Sequence, residues 1–114
     1  MMPARVLGGL LLWLAATCAV AHAHLQQSTP ADGSVLSAAP AQLVLHFSEA
    51  ARLTALWLES GAARQAVGPL PQAAQPIIVV PLPALSPGRY VVSFRVVGAD
   101  GHVVPGEIRF TFNR

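Results

Sequence analysis

The sequence lacks lysine, contains a single cysteine (Cys18), and has few charges, since charged residues make up 11% of its 114 residues against ~25% in an average soluble domain. One cysteine cannot form a disulfide within the chain, which excludes a disulfide scaffold. All seven cations are arginines that lie singly along the sequence, so no basic run of the kind that binds nucleic acid is present. The length fits one small domain and excludes a large multidomain enzyme.

The beginning of the chain is predicted to be a signal peptide rather than part of the folded domain. Arg5 precedes an apolar, charge-free run over residues 6–20, which is shorter than the ~20 residues that a membrane-spanning helix requires. A lipoprotein cut just before Cys18 is an alternative, but residues 15–17 match the pattern of such sites poorly. Simple cleavage removes Cys18 and leaves a mature domain without cysteine, indifferent to thiol redox conditions.

Two overlapping cleavage sites of the A-x-A type follow the apolar run. Cleavage at the earlier site makes His22 the first mature residue, and cleavage two residues later makes His24 the first. Because the earlier site directly follows the apolar run, we expect a signal peptide over residues 1–21 and a mature domain over residues 22–114.

Several segments of the mature chain alternate between apolar and polar residues or are rich in β-branched residues, and both patterns are typical of strands. Residues 53–59 fit a strand or a helix by pattern alone, and residues 62–67 could pair back with them across Ser60-Gly61. The other predicted strands are residues 43–47, 76–81, 90–97 and 107–112.

Ten prolines and nine glycines, with weak helical periodicity, predict an all-β domain, either a sandwich or a small barrel. Proline lacks the N–H donor of a central strand, so residues 69–71 and 81–83 are predicted to lie at sheet edges or in connections. The predicted turns are Thr29–Gly33, Ser86–Gly88, Ala99–Gly101 and Val104–Gly106.

A histidine at the amino terminus of the mature chain is a candidate metal ligand. Its α-amine and its imidazole Nδ1 can close a chelate ring on one metal ion, which displaces the amine proton near neutral pH. His22 holds this position under the expected cleavage. His24 either adds a further imidazole or, under the later cleavage, takes the place of His22.

Asp100-Gly101-His102 is a second candidate, because residues i and i+2 of an extended chain point in the same direction. With the terminal histidine, Asp100 and His102 would give three nitrogens and one carboxylate oxygen. Cu(II) prefers such a tetragonal set and binds it more tightly than Zn(II) does. The mature chain contains neither Cys nor Met and offers no soft Cu(I) site. Each motif alone is short enough to arise by chance.

His46 and Glu49 are weaker candidates. Either side chain could hydrogen-bond to a residue that binds the metal and so orient it. His46 lies on the minor face of its predicted strand, and Glu49 follows at the strand end. A surface role is the simpler interpretation of His46.

Together these motifs resemble, in order and spacing, the CopC family of periplasmic copper-resistance proteins along most of the mature chain. The family patterns S-x-P-A-x-G-S, L-x-F-S-E and the D-x-H region all have counterparts here. The matching blocks are His22–Leu25, Ser28–Ser34, Leu45–Glu49, Leu85–Val92, Arg95–His102 and Gly106–Phe110.

The resemblance implies a seven-stranded, Ig-like Greek-key β-sandwich or barrel that binds one Cu(II) per chain in the periplasm. It implies His22, Asp100 and His102 as the metal ligands, with Glu49 behind them or axial to the metal. It also implies a partner, an inner-membrane copper transporter of the CopD type. Some family members carry a Met-rich Cu(I) loop, but residues 52–76 contain neither Met nor His, so a Cu(II)-only version is expected.

The chain departs from the family pattern at two positions near these motifs. Phe94 stands where the family has a strand tryptophan, and Gly98 stands where it has a serine before D-x-H. Neither departure removes an implied ligand.

Two other functions remain open at this point. The pairing of the α-amine and imidazole of an N-terminal histidine on one copper ion is called a histidine brace, and it is also found in copper oxidases and monooxygenases. Those sites keep a position open for oxygen, which Asp100 would fill here. We therefore expect no enzymatic activity. A metal-independent Ig-like structural module is the third hypothesis, and such a module would fold and work with His22, Asp100 and His102 all replaced by alanine.

Overall fold

The computed structural model describes residues 23–114, which form seven β-strands and no helix, so the described part of the chain has no helix that could cross a membrane. The predicted all-β, seven-stranded class is confirmed. The strands are β1 (Leu25–Thr29), β2 (Ser34–Leu36), β3 (Gln42–Ser60), β4 (Ala63–Ala66), β5 (Gln75–Pro81), β6 (Gly88–Gly98) and β7 (Val103–Phe112).

Strand β3 is the longest element and belongs to both layers of the fold. Its first half pairs with β1 and β5, and its second half pairs with β4 and β6. The pairing register shifts between His46 and Ala51 and again between Leu53 and Ala55, and such irregularities let a strand bend. The two runs that the sequence predicts here, residues 43–47 and 53–59, are therefore one bent strand.

The remaining strands complete a curled sheet with the order β1-β3-β6-β7-β2, in which β4 and β5 also pair with β3. Strand β2 is parallel to β7, and the other pairings are antiparallel. Residues 63–66 pair back with Trp57–Ser60 as predicted. Pro81 ends β5 at the sheet edge, which confirms its predicted placement.

The core consists of the inward positions of the alternating strands, as the period of two dictates. The rings of Phe47 and Phe94 meet edge to face with their centroids 6.1 Å apart. Tyr90 and Phe110 stack with their centroids 5.3 Å apart. The largest fully buried side chains are Phe112, Leu43, Leu45, Leu56, Ile78, Ile108, Val80, Val92 and Val96.

The predicted turn at Val104–Gly106 is wrong, because β7 runs straight through these residues. Strand β2 pairs only with residues 110–112, so the side of β7 away from β6 is open at Pro105, where a missing N–H donor does no harm. Gly106 is opposite Phe94. A Cβ at Gly106 would come within 2.7 Å of Phe94 Cε1, so the glycine leaves room for the ring.

Candidate metal centre

The turn between β6 and β7 carries the first two candidate ligands. Its ends are joined by a hydrogen bond from the Gly98 N–H to the His102 carbonyl (3.1 Å), and the Gly101 N–H donates to the Gly98 carbonyl (3.0 Å). Gly101 has φ +84°, a conformation that other residues rarely adopt. Asp100 and His102 are therefore brought together by a tight turn and not by the extended chain that the sequence predicts.

Asp100 contacts His102 through both carboxylate oxygens. Oδ1 accepts a hydrogen bond from the backbone N–H of His102 (3.0 Å), and Oδ2 lies 2.9 Å from the His102 Nδ1. A carboxylate can only accept, so this contact is a hydrogen bond in the tautomer with the proton on Nδ1, and that tautomer has its lone pair on Nε2. The His102 side chain is 65% exposed, which makes Nε2 reachable for a metal ion.

Ala23, the first described residue, lies beside Gly98 at the start of the β6–β7 turn. It is 2% exposed and belongs to the hydrophobic core. An ideal Cβ built on Gly98 lies 3.7 Å from the Ala23 backbone nitrogen and 3.1 Å from Asp100 Oδ1. The nitrogen that bonds to residue 22 and Asp100 Oδ1 are therefore at most about 7 Å apart (3.7 Å and 3.1 Å together). His22 itself is outside the described residues.

His24 is exposed and lies at the beginning of β1. Its backbone N–H donates to Ser48 Oγ (2.9 Å), and its carbonyl accepts from the Ser48 N–H (2.8 Å). His24 and His102 line one shallow depression of about 340 Å³ together with residues 103–105. His24 is thus near the Asp100–His102 pair but fixed to β3 by its backbone.

Glu49 and His46 take different places relative to this pair. Glu49 is half-buried and is two residues before Ala51, whose Cα partner is Gly98 at the start of the turn. His46 is half-buried on the outer side of the other layer, where it pairs with Gln27 and Ile77. Along β3, Glu49 is therefore two residues and His46 five residues before the residue that pairs with the turn.

Residues 23–114 contain no group of three or more His, Cys, Asp or Glu side chains arranged to hold a metal ion. The described part of the site supplies one imidazole nitrogen and one carboxylate, so a closed site needs donors from outside it. Sequence reasoning missed two supporting residues, Ala23 and Ser48. Ser48 belongs to the Leu45–Glu49 block that matches the family pattern, so that match could have pointed to it. No feature of the sequence indicates that Ala23 is buried.

These features define a class: a small all-β domain with a histidine–carboxylate pair on one hairpin turn, next to the start of its first strand. The chain belongs to the CopC domain family, whose model matches residues 25–113.

Curated relatives and solved structures agree with this assignment. The chain is 34% identical over 97 residues to protein YobA of Escherichia coli K12, covering 80% of this chain and 78% of that protein. It is 33% identical over 113 residues to copper resistance protein C of Pseudomonas syringae pv. tomato, covering 85% of each.

The structure is similar to the crystal structure of CopC from Methylosinus trichosporium OB3b, with a TM-score of 0.63 and 25% identity over 81% of this chain and 94% of that one. It is also similar to PcoC, a methionine-rich copper resistance protein from Escherichia coli, with a TM-score of 0.61 and 30% identity over 82% of this chain and all of that one.

Proposed function

We propose that this protein binds one Cu(II) ion per chain in the periplasm and serves copper resistance, homeostasis or delivery. Membership of the CopC domain family supports a copper-related function, as do relatives named as copper resistance proteins from two bacteria. The predicted signal peptide over residues 1–21 supports export. In this proposal copper is the cargo of the protein.

The proposed ligands are the α-amine and imidazole of His22, the Asp100 carboxylate and Nε2 of His102. Because Nδ1 and Nε2 lie on opposite sides of the imidazole ring, Asp100 would have to leave Nδ1 to bind the same ion. One observation carries this assignment: the Ala23 nitrogen and Asp100 Oδ1 both lie within 4 Å of the same point over Gly98. A histidine bonded to that nitrogen starts within side-chain reach of Asp100 and His102. Three nitrogens and one oxygen make the tetragonal set that Cu(II) favours. Glu49 is proposed either to hydrogen-bond to one of these ligands or to lie axial to the metal.

The proposed set of donor atoms favours storage or transfer of copper over catalysis. Four protein atoms would fill the positions around the ion, and a closed site suits storage or transfer, whereas a catalytic metal keeps an open position for its substrate. Residues 22–114 contain neither Cys nor Met, and these are the ligands that select Cu(I). An inner-membrane copper transporter of the CopD type is the proposed recipient of the ion.

The test begins with the intact mass of the exported protein, followed by Cu(II) titration of the same sample. We expect a chain that starts at His22 and binds one equivalent of Cu(II), with a nitrogen-rich tetragonal signal in electron paramagnetic resonance. A start at His24 moves the brace to that residue. A lipidated start at Cys18 leaves neither histidine at the terminus and overturns the proposal.

A single glycine added before His22 separates the α-amine from the imidazole and should weaken Cu(II) binding strongly. The matched control is a single glycine added after Arg114, which changes the mass equally and leaves the brace intact. Equal affinities of the two extended proteins would contradict the brace.

A further inference from the structure

The arginines that are dispersed in the sequence share one face of the folded protein. This face, called here the arginine face, is the outer side of β4, the second half of β3, β6 and β7. Residues paired across neighbouring strands point to the same side of a sheet, and the buried pairs Leu58–Val92 and Leu56–Phe94 fix which side is outward. The arginines that point outward here are Arg52, Arg64, Arg89, Arg95 and Arg109.

The arginine face has an excess of positive charge. Its two acidic residues are already paired, Glu59 with Arg64 (3.3 Å) and Glu107 with Arg109 (2.7 Å). Among residues 23–114, no acidic side chain forms an ion pair with the other three arginines of the face, Arg52, Arg89 and Arg95.

The opposite layer of the fold is uncharged. It consists of β1, β5 and residues 42–48 of β3, and none of these contains an acidic or basic side chain other than His46. The arginines without an ion pair therefore lie on one face. Asp32 is at the edge of that face, where it accepts the Arg109 backbone N–H, and the face itself keeps an electrostatic preference for anions.

Trp57 lies in the middle of the arginine face. The guanidinium carbons of Arg64 and Arg95 are 4.4 and 5.3 Å from the centroid of its ring, which is the range of a cation–π interaction. These contacts hold the guanidinium groups of Arg64 and Arg95 against the sheet. Both groups therefore have fixed positions on the arginine face.

Arg89 stands between two surface depressions of anion-binding size. One, of about 330 Å³, is lined by Arg89 and Arg109 together with residues 33–34, 90–91 and 110–111. The other, of about 450 Å³, is lined by Arg89 and Arg64 together with Glu59 and the β3–β4 turn. Two adjacent depressions that share one arginine can each hold a separate phosphate, because the planar guanidinium donates to oxygens on both of its sides.

We propose that the arginine face docks this protein onto an anionic phospholipid surface. A bilayer presents closely spaced phosphates over a broad plane, which matches two neighbouring depressions and cations spread from Arg89 to Arg52. Val97, the partner of Arg52, is eight residues after Arg89 in β6, which is about 26 Å at the ~3.3 Å rise of a strand. An indole ring beside arginines is also common at membrane–water interfaces.

Docking in this orientation places the β6–β7 turn at the rim of the contact. Arg52 pairs with Val97, three residues before Asp100, so the turn lies at one end of the arginine face and stays open to solvent. The inference does not depend on copper binding, since the arginines are distinct from the proposed ligands.

The test is co-sedimentation of the metal-free protein with vesicles of phosphatidylcholine, with and without an equal share of phosphatidylglycerol. The variant carries Arg52→Gln and Arg89→Gln, two exposed residues outside the ion pairs of the face. The matched control carries Gln27→Glu and Gln42→Glu, exposed residues of the uncharged layer, and changes the net charge equally. Each arginine near an anionic membrane contributes about fivefold in binding, so the double variant should bind about 30-fold more weakly.

The inference is supported if only the phosphatidylglycerol vesicles bind, if about 0.5 M salt releases the protein, and if the matched control binds like the unaltered protein. Absence of binding to phosphatidylglycerol vesicles overturns it. So does an equal loss in both double variants, which would reduce the effect to net charge. Retention on immobilised polyglutamate without vesicle binding also overturns it and assigns the face to an acidic protein. None of these outcomes bears on Cu(II) affinity.

Discussion

Replacement of Asp100 by asparagine tests the metal centre sharply, because the side chain keeps its size and shape. Asp100 accepts from the backbone N–H and from Nδ1 of His102, at 3.0 and 2.9 Å. Asparagine has one acceptor oxygen and one NH₂ group. If the oxygen keeps the backbone N–H, the NH₂ group faces Nδ1, which must then give up its proton to accept. The proton moves to Nε2, and the lone pair that would bind the metal is lost.

The expected size of the effect follows from two proposed roles of Asp100, one before and one after the metal binds. Loss of a carboxylate that orients a ligating histidine costs about 10–100-fold in metal affinity, and in the metal-bound protein Asp100→Asn would remove the proposed anionic ligand. We therefore expect Cu(II) affinity to fall by about 100-fold or more. Stability should change by less than about 1 kcal/mol, because the hydrogen bonds that close the turn between Gly98 and His102 are backbone bonds that the substitution leaves in place.

The measurement is a Cu(II) titration in competition with a chelator of known affinity, with nitrogen-15 spectra of the metal-free protein to report the His102 tautomer. Asp32→Asn is the matched control, since Asp32 also accepts a backbone N–H, that of Arg109 (2.8 Å), outside the candidate site. Equal Cu(II) affinity in the two variants would refute the reasoning, and so would an unchanged tautomer with full affinity.

Three further predictions concern packing and the second histidine. Gly106→Ala should lower stability by about 1–3 kcal/mol, because its methyl group would overlap the buried Phe94 ring, and the midpoint of thermal unfolding should fall by about 4–8 °C per kcal/mol; an unchanged midpoint would contradict this. Leu45→Ala should cost about 2–5 kcal/mol in urea denaturation, whereas Leu25→Ala, at the exposed end of β1, should cost much less. His24→Ala should leave Cu(II) affinity within about tenfold if His22 is first, because the backbone pairing with Ser48 survives; a larger loss would make His24 a ligand.

The strands that bury every second residue were predictable, because that alternation is local. Strand β6 spans residues 88–98, close to the predicted 90–97, and β5 spans 75–81, close to the predicted 76–81. No strand was predicted at β1 or β2. Strand β1 is almost wholly exposed, so it has no burial pattern to display, and β2 has three residues whose partners are in β7, far away in sequence.

The local signals failed where a distant residue decides the conformation. Pro105 and Gly106 have the composition of a turn, yet they pair with Arg95 and Phe94 of β6 and so belong to β7. The arginines are likewise dispersed in the sequence, and their common face could not be predicted because it depends on the pairing register of four strands. Asp100 and His102 were predictable as a pair because three consecutive residues contain the whole motif, although the geometry of the turn was not.

Both halves of the candidate centre are positioned by one short stretch of β3. Ser48 holds the backbone of His24 at the start of β1, and Ala51 pairs with Gly98 at the start of the β6–β7 turn. The pairing register of β3 shifts at this stretch, where the strand passes from one layer to the other and Glu49 lies between the two anchors. A bend here therefore brings the start of the described chain to a turn some 80 residues later. Because the two halves share one strand, their separation depends on local backbone geometry rather than on loop closure.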